Sequence, residues 1–149
     1  MDETDRQILR ILQTDCSMSV SDIARKVGLS ASPCWKRINR LNNEGIIIRR
    51  IARLNPEMLG YGITAYVSIK TGEHSTEWLK EFSDIITEMP EVMEFHRMAG
   101  DVDYMLKVMV TDIQAFDQFY KRLITTSAIN EVTSRFSMET IKDTTALPI

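Results

Sequence analysis

Cysteine, histidine and long apolar runs are all scarce in this chain, and each shortage removes a class of function. The 149 residues include two cysteines, Cys16 and Cys34, and two histidines, His74 and His96. Neither cysteine has metal-ligand spacing, and no zinc-ligand pair can be assembled. So few thiols suit a reducing cytoplasm. No apolar stretch approaches the roughly 20 residues that span a bilayer. The opening residues, MDETDRQ, are acidic and polar, so no secretory leader and no membrane partner is expected. A phosphate-binding loop, a nucleophile elbow and a dinucleotide fingerprint are all missing. His74 sits in a polar turn beside Glu73 and His96 in a strand beside Arg97, and each reads as structural. An enzyme on the second half of the chain is therefore the weaker reading, and no cofactor is expected.

What is present is ordinary globular material, 44% hydrophobic and 26% charged, enough for one domain or two small ones. The charge is unevenly spread. Residues 1–54 hold ten Lys and Arg against six Asp and Glu, a net of +4. Residues 55–149 hold eight against fifteen, a net of −7. A basic first third on an acidic remainder implies that only the first part meets a polyanion.

That first third reads as three helices. One runs from about Asp2 to Asp15, with Asp2 and Asp5 at its positive end and Ile8, Leu9, Ile11 and Leu12 as its core stripe. The next starts with a capping box, Ser19 and Asp22, and carries Val20, Ile23, Ala24 and Val27 at i, i+3, i+4 and i+7. Gly28 ends it. Ser30 or Ser32 caps the third helix, Pro33 lies in its first turn, and Gly45 stops it. At about 100° per residue, Cys34, Ile38 and Leu41 face the core. Ser32, Lys36, Asn39, Arg40 and Asn43 face outward, with Trp35 and Arg37 on the flanks.

Two short helices joined by a glycine-containing turn, the second cationic, form a helix-turn-helix signature. The outer face has cations for phosphate and amides for base edges, but no carboxylate. Phosphate contacts fall to Lys36, Arg37, Arg40, Ser30 and Ser32. Base readout falls to Ser32, Asn39 or Lys36, with Trp35 against sugar or a thymine methyl. A protein-binding module using the same helix is the alternative, and the missing carboxylates count against it. Residues 46–54, IIIRRIARL, are β-rich with interleaved arginines. They read either as a wing touching phosphates or as a strand leading out of the domain.

Residues 55–62, NPEMLGYG, read as a linker. Residues 63–149 then give β-α-β-β-α-β. Ile63, Ala65, Val67 and Ile69 alternate with polar residues in a first strand. A helix from about Ser75 turns Leu79, Phe82, Ile86 and Met89 inward. Strands at 92–99 and 104–110 flank a turn at 100–103. Thr111 and Gln114 form a capping box for a helix with Ile113, Phe116, Tyr120 and Leu123 inward. Val132, Ser134, Phe136 and Met138 alternate in the last strand. Right-handed crossovers put both helices on one face of an antiparallel sheet, a ferredoxin-like α+β domain. The bare face, with Tyr66, strand methionines and aliphatics, should be covered by a second copy. A two-fold dimer would present two recognition helices to a pseudo-palindromic site.

The motifs TDRQILRILQ, LSASPCWKRINRL, EGIIIRR, MPEV, AGDVDYML and FSMETIKDTTALPI, in this order and spacing, resemble those of the Lrp/AsnC, or feast/famine, transcription regulators. The set WKRINRL, EMPEV, RMAGDVDY, FYKRL and TTALPI is most similar to a branch that includes regulators of cysteine breakdown. The resemblance implies a winged helix-turn-helix domain, double-stranded DNA as partner, and homodimers that assemble into tetramers or octamers. It also implies a small amino-acid effector, cysteine first among candidates, bound between dimers near Gly100, Asp101, Asp103 and Tyr104. A glycine turn offers N–H groups to a carboxylate, and Asp101 or Asp103 offers an acid to an ammonium. Ser134 and Ser137 would complete the polar set if the last strand runs beside the turn. Read without the resemblance, the same residues are a plain hairpin turn.

Overall fold

The computed structural model describes residues 1–125 and 129–149. The chain divides into two compact units, residues 1–53 with 141–149, and residues 54–140.

The first unit holds α1 (Glu3–Thr14), α2 (Val20–Lys26) and α3 (Ala31–Asn43). Asp2 and Asp5 close a full capping box at the start of α1, each side chain accepting the other's backbone N–H. At α2 only half of the expected box forms. The Ser19 hydroxyl accepts the Asp22 N–H and donates to the Asp22 carboxylate, which therefore never reaches the Ser19 backbone. Gly28, at φ +71°, reverses the chain, and the Leu29 N–H returns to the Ala24 carbonyl. Ile8, Leu9, Ile23, Ala24, Cys34, Ile38 and Leu41 make the core. Cys34 is buried in this core and packs as a small hydrophobe, and that burial pushes its thiol up.

Two readings of this unit change. Residues 46–54 form no strand, so the expected wing is absent among the described residues. A β-rich segment needs a neighbour to take its backbone hydrogen bonds, and no described strand lies beside this one. Ile48, Ile51 and Leu54 are exposed. The second change is at the other end of the chain. Residues 141–149, read as part of the second domain, lie against α1 instead. Gln13 clamps Leu147 at both its N–H and its carbonyl, Arg10 donates to the Ile149 carbonyl, and the Ile149 side chain joins the core.

The second unit follows a 3₁₀ turn at Glu57–Leu59. It contains β1 (Ile63–Thr71), α4 (Thr76–Thr87), β2 (Val92–Arg97), β3 (Tyr104–Val110), α5 (Ile113–Ile124) and β4 (Ile129–Phe136). The antiparallel sheet has the order β2-β3-β1-β4, the ferredoxin-like arrangement. Ala65, Val67 and Ile69 of β1 and Leu106, Val108 and Val110 of β3 meet both helices on one face. Trp78 and Phe119, which the periodicity reading left out, are buried core residues, whereas Ile113 is exposed. Asp112, not Thr111, caps α5 and accepts the Ala115 N–H. Met138 lies beyond β4 and is exposed.

The open sheet face is more ionic than expected. Tyr66, Met105 and Met109 share it with the pairs Lys107–Glu94, His96–Glu94 and Lys70–Glu131, and with Arg135 donating to Ser68.

Candidate nucleic-acid interface and effector turn

The outward face of α3 begins at Ser30, whose hydroxyl makes no capping bond. Ser32, Pro33, Trp35, Lys36 and Arg40 are exposed, while Asn39 and Arg37 are half-buried. Lys36 has no ion-pair partner among the described residues. Trp35 stays 54% exposed, a large apolar surface that the fold leaves in water. Aromatic, hydroxyl and ammonium groups therefore lie along one exposed side of α3.

The two arginines are differently placed from the sequence reading. Arg37 Nη1 lies 2.7 Å from Asp2 Oδ2 and 2.8 Å from Asp5 Oδ1. Arg40 Nη2 lies 2.6 Å from Asp5 Oδ2. They are therefore partnered cations, not free ones, and the acids come from α1, 32 to 35 residues away. Asp5 is buried, and both of its oxygens are occupied. Burial would raise its pKa, but the Asp2 N–H and the guanidiniums of Arg37 and Arg40 outweigh it and hold the carboxyl far below the usual range. The carboxylates of Asp2 and Asp5 in turn raise the Arg37 guanidinium above its ordinary value.

The turn at 100–103 separates into used and unused groups. Asp103 Oδ2 accepts the Thr71 N–H at 2.8 Å, and the Asp103 N–H donates to the Ile69 carbonyl. That carboxylate secures the irregularity between Lys70 and Thr71 of β1. Tyr104 is buried among Trp78, Phe82 and Phe95, at ring distances of 6.1, 5.3 and 5.6 Å. It packs the core and offers no surface to a ligand. Gly100 holds φ +133°, a conformation few other residues accept. The N–H groups of Gly100, Asp101 and Val102 donate to no described residue, and Asp101 is exposed.

The serines do not join the turn. Ser137 donates its N–H to the Thr64 carbonyl. Thr64 is seven positions from Thr71, about 23 Å at ~3.3 Å per strand residue. Ser134 sits opposite Val67, on the helix-covered face. It lines a cleft of about 390 Å³ with Ile113, Phe116, Asp117, Tyr120 and Val132. Its hydroxyl is buried without a partner among the described residues. Sequence reasoning missed this cleft, because Ser134 meets α5 only once the sheet has formed.

No helix among the described residues is long and apolar enough to cross a membrane. No group of three His, Cys, Asp or Glu able to hold a metal ion is found among them.

Residues 1–42 match the family model of the AsnC-type helix-turn-helix domain, and residues 64–147 that of the Lrp/AsnC ligand binding domain. The chain is 49% identical over 150 residues to the DNA-binding transcriptional activator DecR of Escherichia coli, covering 100% of this chain and 99% of DecR. A solved AsnC family transcriptional regulator from Agrobacterium tumefaciens aligns at a TM-score of 0.96 and 55% identity, over 99% of this chain and 97% of that one. A transcriptional regulator from Neisseria meningitidis, solved in complex with L-methionine, aligns at 0.95 and 30% identity, over 99% and 96%.

Proposed function

The chain belongs to the Lrp/AsnC family of transcription regulators, and from that premise we propose that its third helix lies in the major groove of duplex DNA while a small amino acid acts on the second domain. It is a DNA-binding transcription regulator and not an enzyme. The single observation that carries the groove assignment is the outward face of α3. There Ser32, Trp35 and Lys36 stand exposed and Lys36 is unpaired. Lys36 and Ser30 take phosphate oxygens, Asn39 and Ser32 take base edges, and Trp35 packs on sugar or a thymine methyl. Arg40 contributes one guanidinium edge while Asp5 holds the other. A gel-shift series on duplexes selected from genomic DNA tests this. Binding falls steeply with salt, and Lys36→Gln weakens it on every duplex alike.

For the effector, the free N–H groups of residues 100–102 suit a carboxylate, and exposed Asp101 suits an ammonium. Asp103 and Tyr104 support this turn from behind. The amino-acid class draws support from the L-methionine held by the Neisseria relative. Cysteine is the first effector to test, followed by methionine and leucine. The open sheet face, with Tyr66 and two methionines between ion pairs, is the surface a second copy covers, and further pairing of dimers gives tetramers or octamers. Such an assembly acts in the cytoplasm, beside the DNA it reads. Thermal-shift titration with an amino-acid panel identifies the effector, and Asp101→Asn abolishes the shift while leaving DNA binding intact. A shift unchanged in Asp101→Asn moves the site away from the turn, with the Ser134 cleft next in line.

A further inference from the structure

The seam between α1 and α3 contains an asymmetry that the groove assignment does not use. Arg37 Nη1 is shared by two carboxylates of very different standing. Asp5 is buried, with 1% of its side chain exposed, whereas the Asp2 side chain is 54% exposed. Asp5 has no spare capacity, since Oδ1 accepts from Arg37 and Oδ2 accepts from Arg40 and from the Asp2 N–H. Asp2 has two separable tasks. Its Oδ1 accepts the Asp5 N–H and caps α1, while its Oδ2 holds Arg37.

We propose that Asp2 is an internal stand-in for a DNA phosphate. Its outer oxygen occupies Arg37 in the free protein and yields that place to the duplex backbone, while Asp5 keeps Arg37 and Arg40 anchored. The proposal rests on the reading that α3 is the DNA-binding helix. An anionic oxygen at 2.7 Å from a recognition-helix guanidinium marks where a phosphate oxygen would sit. Only the solvent-exposed partner can be displaced without burying an unpaired charge. Charge count points the same way. Asp2, Asp5 and Glu44 surround Arg37 and Arg40, three acids on two bases. Within a unit that is basic overall, these three acids weaken the attraction of this seam for a polyanion, and removing Asp2 strengthens it. The consequence is a brake on sequence-independent binding, because every duplex must first evict the same carboxylate.

The two acids therefore have opposite effects on DNA affinity. Asp2→Asn keeps a capping oxygen, because Asn serves as an N-cap as well as Asp does, and Asp2→Ser is a second uncharged cap. The probe is a fluorescein-labelled random-sequence duplex of forty base pairs, followed by anisotropy from low to moderate salt. Asp2→Asn and Asp2→Ser are expected to tighten binding about three- to tenfold at low salt, a gain that shrinks as salt rises. In an Arg37→Gln background the same changes yield little gain. Thermal melts of each variant verify that the first unit remains folded. A gain absent in both Asp2 variants, or equally large with Arg37 replaced, overturns the proposal while leaving the DNA-binding role untouched. Failure of the unaltered protein to bind the duplex even at low salt defeats that role and this proposal together.

Discussion

At the scale of single residues, Asp5 carries more structure than its neighbours. It completes the α1 capping box and holds two guanidiniums of α3, so its loss leaves Asp2–Arg37 as the one remaining ion pair between the start of α1 and α3 among the described residues. Breaking an enclosed ion pair costs roughly 3–5 kcal/mol, but Arg37 and Arg40 can turn to water, so Asp5→Ala should cost about 2 kcal/mol. Urea unfolding checks the value. The pH dependence has a definite sign. The folded carboxyl titrates below its ordinary 3.8, so its stabilisation is fully present above that pH. It is lost as pH falls below 3.8 toward the folded value. The stability gap between the unaltered protein and Asp5→Asn is expected to narrow progressively under acid. A gap constant from pH 6 to pH 2.5 would show that the carboxylate charge contributes nothing. None of this was legible locally. Asp2 and Asp5 look like ordinary first-turn acids, and their partners arrive from 32 or more residues away.

At the scale of elements, period and turn chemistry were readable wherever a segment's structure depends on itself. The three helices of the first unit and the six elements of the second occur in the expected order, though Asp112 replaces Thr111 as the α5 cap and β4 ends at Phe136, before Met138. The exceptions share a cause. Residues 46–54 have strand-forming side chains, but a strand exists only with a partner. Trp78 and Phe119 enter the core because α4 and α5 each present a wider arc to the sheet than a single stripe. The tail at 141–149 has no period at all, and its position comes from Gln13 on the Leu147 backbone, Arg10 on the Ile149 carbonyl and Arg53 on Asp143. Gln13→Ala removes both bonds and should destabilise the tail's attachment by about 1–2 kcal/mol. Hydrogen exchange at the Leu147 amide is expected to accelerate about tenfold or more, with little change in the Val67 and Leu106 amides of the sheet. Unchanged protection at Leu147 would mean that Arg10, Arg53 and the packing of Ile149 hold the tail without Gln13.

At the scale of the molecule, a basic reader and an acidic sensing unit were already visible in the charge division at residue 54. The site was only partly visible. The outward face of α3 follows from helical angle, so Ser32, Trp35 and Lys36 stand exposed where a single helix puts them. The proposed effector turn depends on strand register, which separates Ser137 from it and gives Asp103 to the Thr71 N–H. The proposal depends first on Lys36, the α3 cation with no ion-pair partner among the described residues, meeting a phosphate. The most direct test is the salt dependence of affinity for a selected duplex, measured for the unaltered protein and for Lys36→Gln. Loss of one phosphate contact should flatten the slope of log K against log salt by about 0.9 and weaken binding at every salt concentration. Two superimposable lines would contradict the proposal, because its one unpaired α3 cation would then touch no phosphate.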